Sequence, residues 1–167
     1  PWELITGKWL TSGLLAVIGI TLELALAHAI LSWLPLEEIG MAWRVTSFDL
    51  AMVCLASVPL SMFAASVHIA LAMNAKSFKE AQSMASIVVL LPMIPGVVVS
   101  MMELKTAMWM YAVPMLSNQT LLREIAKGQD MGIEPFVLTF FSSLVPALAG
   151  IAFASWRLRS ERYVLAV

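Results

Sequence analysis

The chain is poor in the residues on which soluble and secreted domains depend. Only 13% of its 167 residues are charged, and it has one cysteine. One cysteine allows neither an internal disulfide nor a cysteine-rich metal site. Cys54 lies inside an apolar run, where it acts as a small hydrophobe. Neither sign of charge dominates: a formal net charge of -1 and a pI of about 6.1 exclude a strongly basic nucleic-acid binder. The alternating apolar and polar pattern of a β-barrel strand is missing as well. What is present in quantity is apolar. With 60% hydrophobic residues and a mean hydropathy of +0.88, the chain is written for a lipid bilayer rather than for water. Its twelve methionines follow no spacing and read as packing filler, not as a copper site.

Four apolar runs approach the ~20 residues that about 30 Å of hydrocarbon requires: residues 9–34, 48–73, 84–102 and 135–156. Each is expected to be helical, because a backbone in lipid must satisfy its own N–H and C=O groups. A fifth run from Ala107 has about half the needed length, contains Pro114 and gives way to "SNQTLLREIAKGQ". Residues 107–128 are therefore expected to dip into the membrane and return. Within them a short helix is expected, with Asn118 as N-cap, Gly128 just past its end, and Leu121, Leu122 and Ile125 as its apolar face. The fold expected is an all-α polytopic membrane bundle of four transmembrane helices, with a re-entrant helical hairpin before the last.

Four spans place both termini on one side. Lys8, Lys76, Lys79, Arg157, Arg159 and Arg162 share that side, against Arg44, Lys105, Arg123 and Lys127 on the other, and this bias makes the first side cytosolic. "NAKSFKEAQS", residues 74–83, is then a short cytosolic connection. Ser77 and Glu80 have the spacing of a capping box, so the third span is expected to begin as a helix in water. Two readings of the connection stand open. It is a solvated elbow with lysines at the headgroups, or a docking surface on which Phe78 is the apolar anchor.

These residues carry a resemblance. "NAKSFKEAQS" followed by an apolar run with prolines, then "AVPMLSNQTLLREIAKG", then a last span ending in "RLRSERYVL", resembles the membrane subunit of type-2 ABC transporters in the sodium-exporter-like permease branch. "PWELITGKWL" is similar to the segment that in this family leads from a cytosolic coupling helix into the next span. The resemblance covers nearly the whole chain and matches the C-terminal four of the family's six spans, so a fragment or excised domain is expected; Pro1 in place of Met agrees with it. It implies a permease that dimerises as a homo- or heterodimer and moves a substrate outward in a bacterial or archaeal plasma membrane. A cytosolic ABC ATPase subunit would bind ATP and magnesium, since no Walker motif is present here; no cofactor or metal is expected on this chain. The resemblance also implies ATPase coupling through Trp2 and Glu3 and through Lys76, Ser77, Phe78, Lys79 and Glu80. It makes the element from Pro114 through Asn118 to Gly128 an extracytoplasmic roof over the pathway.

Ionisable residues within the spans are candidates on physical grounds. Glu23 lies past the middle of the first span, where a carboxylate costs roughly 2.5–3.5 kcal/mol, so it should face protein or water. It is either a cation or proton site or a hydrogen-bonded packing residue. His28 follows five residues later, about 140° around the helix, so the two do not share a face. His28 and His68 are expected to be hydrogen-bonded or to reach the interface, and Asp49 to sit in a helical first turn. Ser57, Ser61 and Ala65, like Gly150 and Ala154, form small-residue stripes suited to close helix contacts. Two further function classes stand beside the permease. One is an intramembrane metal-dependent protease of the prenyl-protein-protease type, suggested by Glu37, Glu38, Arg44, His28 and His68 at a spacing that does not match that family. The other is a non-catalytic membrane assembly subunit.

Overall fold

The computed structural model describes residues 2–39, 43–90, 93–101 and 105–165, and every regular element among them is helical. The elements are α1 (Trp2–Trp33), α2 (Ser47–Ala72), α3 (Phe78–Leu90), α4 (Met93–Met101), α5 (Leu116–Ala126) and α6 (Ile133–Leu165), with 3₁₀ turns at Leu36–Ile39 and Met108–Ala112. Four stretches are long and apolar enough to cross a membrane: Glu3–Trp33, Ser47–Ala72, Phe78–Val99 and Ile133–Arg157. The protein is an all-α helical bundle of membrane character.

Helix α1 begins seven residues before the apolar run that announced it, at Trp2 rather than Trp9. Nothing in "WELITGKW" stops a helix: Glu3 suits the positive end of the helix dipole, and Gly7 has open space around it. Helix α2 starts behind a capping box. Asp49 N–H donates to Thr46 Oγ1 at 3.2 Å and Thr46 N–H to Asp49 Oδ2 at 2.9 Å, so Asp49 is a first-turn residue with a capping role as well. The third apolar run is covered by α3 and α4, on either side of residues 91–92, and together they form the candidate span Phe78–Val99; the expected end at Met102 lies outside the described residues. Helix α6 starts at Ile133, and Pro135 falls in its first turn, where a missing N–H costs nothing.

Helix directions follow from contacts. Trp9 Nε1 donates to the Met62 carbonyl at 2.8 Å, and Leu24 and Val53 share a cavity wall, so α1 runs antiparallel to α2. Phe136 packs beside Ala56, and Gly150 faces Ser66, so α6 runs in the same direction as α2. Because lipid is as apolar as leucine, burying apolar area between membrane helices contributes little, and close backbone approach carries more of the packing. The small-residue stripes supply it. Ser57, Ser61, Ala65 and Ser66 of α2 and Ala147 and Ala154 of α6 are all buried. The short α5 is enclosed by its neighbours: Leu121 is fully buried and joins Val45, Val53, Ala56, Tyr111, Ile125 and Phe136 in the core.

Candidate functional site

Three helical faces converge on a cavity of about 730 Å³. From α1 come Ala16, Ile20, Glu23, Leu24 and Ala27; from α2, Val53, Ser57, Leu60, Ser61, Ala64 and His68; from the segment entering α5, Met115, Asn118, Gln119 and Leu122. Each set recurs at three- and four-residue spacing, the signature of one side of a helix. Val88 and Val89 of α3 close another wall. Glu23 is exposed in the isolated chain and, among the described residues, is the only carboxyl side chain on this lining. A second cavity of about 460 Å³ adjoins the first through Leu24, Ala27, Val53, Gln119 and Leu122, and reaches Gly96 and Arg123.

The histidines part company. His28 is off the cavity face, and its Nδ1 accepts a hydrogen bond from Trp43 Nε1 at 3.1 Å, so a neutral ring carries its proton on Nε2. His68 lines the cavity with Glu23; its Nδ1 donates to the Ala64 carbonyl at 2.8 Å. Glu37 and Glu38 are exposed on their 3₁₀ turn, and no three His, Cys, Asp or Glu side chains among the described residues come close enough together to hold a metal. The glutamate and histidine grouping that a metalloprotease site would need is not assembled there.

Asn118 is not an N-cap. Helix α5 begins at Leu116, launched by a three-residue turn in which Leu116 N–H donates to the Pro114 carbonyl at 2.8 Å across Met115. Met115 there has φ 68° and ψ -52°, the strained γ-turn geometry that a side-chain-bearing residue rarely adopts. Asn118 therefore lies inside the first turn, and its side chain is turned to a tertiary use: Oδ1 accepts from Ser57 Oγ at 3.1 Å, tying α5 to α2. Its Nδ2 is fully buried and has no hydrogen-bond partner among the described residues. Of the apolar face read from the sequence, Leu121 and Ile125 are core, while Leu122 is 37% exposed and faces the cavities.

The other end of α5 matches its expected form. Gly128 has φ 70°; its N–H donates to the Ile125 carbonyl at 2.8 Å, and Gln129 N–H to that of Glu124 at 3.1 Å, a Schellman ending. Any Cβ at Gly128 would also meet the Arg44 side chain at 3.3 Å. Just inside this end, Glu124 is a buried acid. Burial alone would raise its pKa. Hydrogen bonds to Oε1 from Lys127 Nζ at 2.9 Å and Thr106 Oγ1 at 2.7 Å, with the charges of Lys127 and Arg123, prevail and hold it below its ordinary value. Tyr111 is raised by burial and by the nearby Glu124 charge, and its hydroxyl donates to Met131 Sδ at 3.6 Å. The Glu124–Lys127 spacing of three, with Glu124 set between Leu121 and Ile125, is the readable signal.

The connection between α2 and α3 is compact. Glu80 N–H donates to Ser77 Oγ at 3.2 Å, as a cap requires, but the Glu80 carboxylate turns back to Lys76 N–H at 2.8 Å rather than to Ser77 N–H. The box is thus closed one residue further out. Phe78, the first residue of α3, is 86% exposed, with Lys76 and Lys79 exposed beside it. The antiparallel course of α1 and α2 brings exposed Glu3, in the first turn of α1, to this end of the bundle; the Trp2 side chain lies outside the described set. Comparison with protein-family models, with curated proteins and with solved structures finds no match to this chain.

Proposed function

We propose that the protein is the membrane-spanning permease subunit of an ABC exporter, the chain supplying its C-terminal four spans and coupling to a separate cytosolic ATPase. The observation that carries this reading is the α2–α3 connection. A rigid, doubly tied helix start holds an exposed aromatic side chain and two lysines beyond the end of the apolar bundle. A plain elbow has no use for an exposed phenylalanine, whereas a docking surface needs one apolar anchor with charged neighbours. In this reading ATP and magnesium stay on the partner, a second permease copy completes the pathway, and Lys76–Glu80 with Trp2 and Glu3 receive the ATPase movement. The order of sequence motifs adds support. The Pro114–Gly128 element would roof the cavities from the opposite side.

The test is Phe78→Ala in the full-length subunit reconstituted with its ATPase. Stimulated ATP hydrolysis should fall about tenfold, as for loss of a central aromatic anchor worth 1–2 kcal/mol or more, with insertion and yield unchanged. Undiminished association and stimulation would reduce the connection to a solvated elbow.

A further inference from the structure

The larger cavity is long rather than compact. On α2 its lining runs from Val53 to His68, about 22 Å of helix, which is most of the ~30 Å of hydrocarbon that a span must cross. Helices α1 and α3 each pack against α2, so the cavity is a groove along the bundle, with α2 as its floor and the lining residues of α1 and α3 as its rims. Ala16 and Ala27 of α1 with Ser61 and Ala64 of α2 keep its surface low, as the close approach of another helix in lipid requires. Val89 on the α3 rim is 63% exposed.

Glu23 lies on the α1 rim and is exposed. It stands about 15 Å before the end of α1 at Trp33, near the middle of the span. A carboxyl group at that depth is costly against lipid, and acids within spans pair with a complementary group or face water. Glu23 has no ion-pair partner among the described residues. A second copy of these spans would not supply one, because all ten lysines and arginines of the chain lie near span ends or outside the spans.

We propose that this groove seats a transmembrane helix of a partner subunit, one that carries a lysine or arginine at mid-bilayer depth to pair with Glu23. The cation complements the carboxylate, and the small residues admit the helix backbone. This holds whether or not the chain couples to an ATPase.

The test uses the purified chain in phosphatidylcholine vesicles, with Cys54→Ala and a donor fluorophore on Lys79→Cys, and two acceptor-labelled synthetic probes. One is a leucine–alanine transmembrane helix of about 23 residues with a single central lysine; the other has leucine in place of the lysine. Energy transfer measured against the peptide-to-lipid ratio gives each affinity. The lysine helix should bind several-fold to about tenfold more tightly than the leucine helix, the range of one interhelical polar contact in lipid, and Glu23→Gln should remove that difference. Ala64→Phe, which fills the floor of the groove, should weaken the lysine helix several-fold. Leu15→Phe, at an exposed α1 position off the lining, should leave both affinities unchanged. Equal affinity for the two helices, or a preference that survives Glu23→Gln, would overturn the pairing. Equal losses in Ala64→Phe and Leu15→Phe would overturn the groove. Self-association of the peptide-free chain that Glu23→Gln abolishes would give this face to a second copy and overturn the partner subunit.

Discussion

At Gly150 a hydrogen stands where any other residue would carry a carbon. A Cβ there would lie 2.5 Å from Ser66 Oγ and 3.0 Å from Ser66 Cβ, and Ser66 is fully buried, its hydroxyl donated to the Phe63 carbonyl at 2.7 Å. Gly150→Ala should therefore cost about 1–3 kcal/mol by overpacking, read as a lower unfolding midpoint in detergent, and Ser66→Ala should recover part of it. A midpoint that rises would mean that α2 and α6 are not packed at this point. Glu124 makes the second residue-scale prediction. Because its folded pKa lies below the ordinary 4.5, its stabilisation is fully present above 4.5 and is lost as pH falls through the lowered value. Glu124→Gln should lower stability at neutral pH by about 1.5–3 kcal/mol and flatten the acid limb of a stability-against-pH curve. An acid limb that the substitution leaves unmoved would assign it to other groups. Residues of this kind were the least legible in the sequence. The small stripe on α6 could be read from spacing, but not that Ser66 sits opposite Gly150. Asn118 was mistaken for a cap because the turn that starts α5 is made by Pro114 and Met115, neither of which carries a capping side chain.

Among elements, legibility followed the strength of the physical constraint. The cores of the four long apolar runs were readable because a bilayer sets a minimum length and forces a helix. The ends of α2 were readable to within a residue, but the start of α1 was not, since hydropathy reports where lipid begins and not where a helix does: α1 continues seven residues beyond its apolar run, through Lys8 and Glu3. The start of α3 was readable for the opposite reason, as a polar Ser77 and Glu80 are needed there to satisfy free N–H groups. Ser77→Ala should cost the cap about 0.5–2 kcal/mol, seen as faster amide exchange over residues 78–81 with α2 unaffected. Exchange unchanged in those residues would show that Glu80 alone holds the turn, and that the elbow is less dependent on its cap than its geometry indicates.

For the whole molecule, three features bear on one claim: α2 and α6 run in the same direction, α1 runs against them, and the exposed Phe78 turn lies at the end where α1 begins. That claim is of a four-crossing bundle whose Lys76–Glu80 turn meets an ATPase in the cytosol. Fold class was open to sequence reasoning because composition alone names the solvent. The large cavity was not, because it is assembled from residues on separate helices, and Glu23, His68 and Asn118 share no spacing that a linear reading could join. The most direct measurement is labelling of Lys79→Cys, in a Cys54→Ala background, by a membrane-impermeant maleimide. The account predicts labelling of inside-out vesicles, none of right-side-out vesicles, and protection of the thiol when the ATPase subunit is bound. Labelling from the outer face would contradict it.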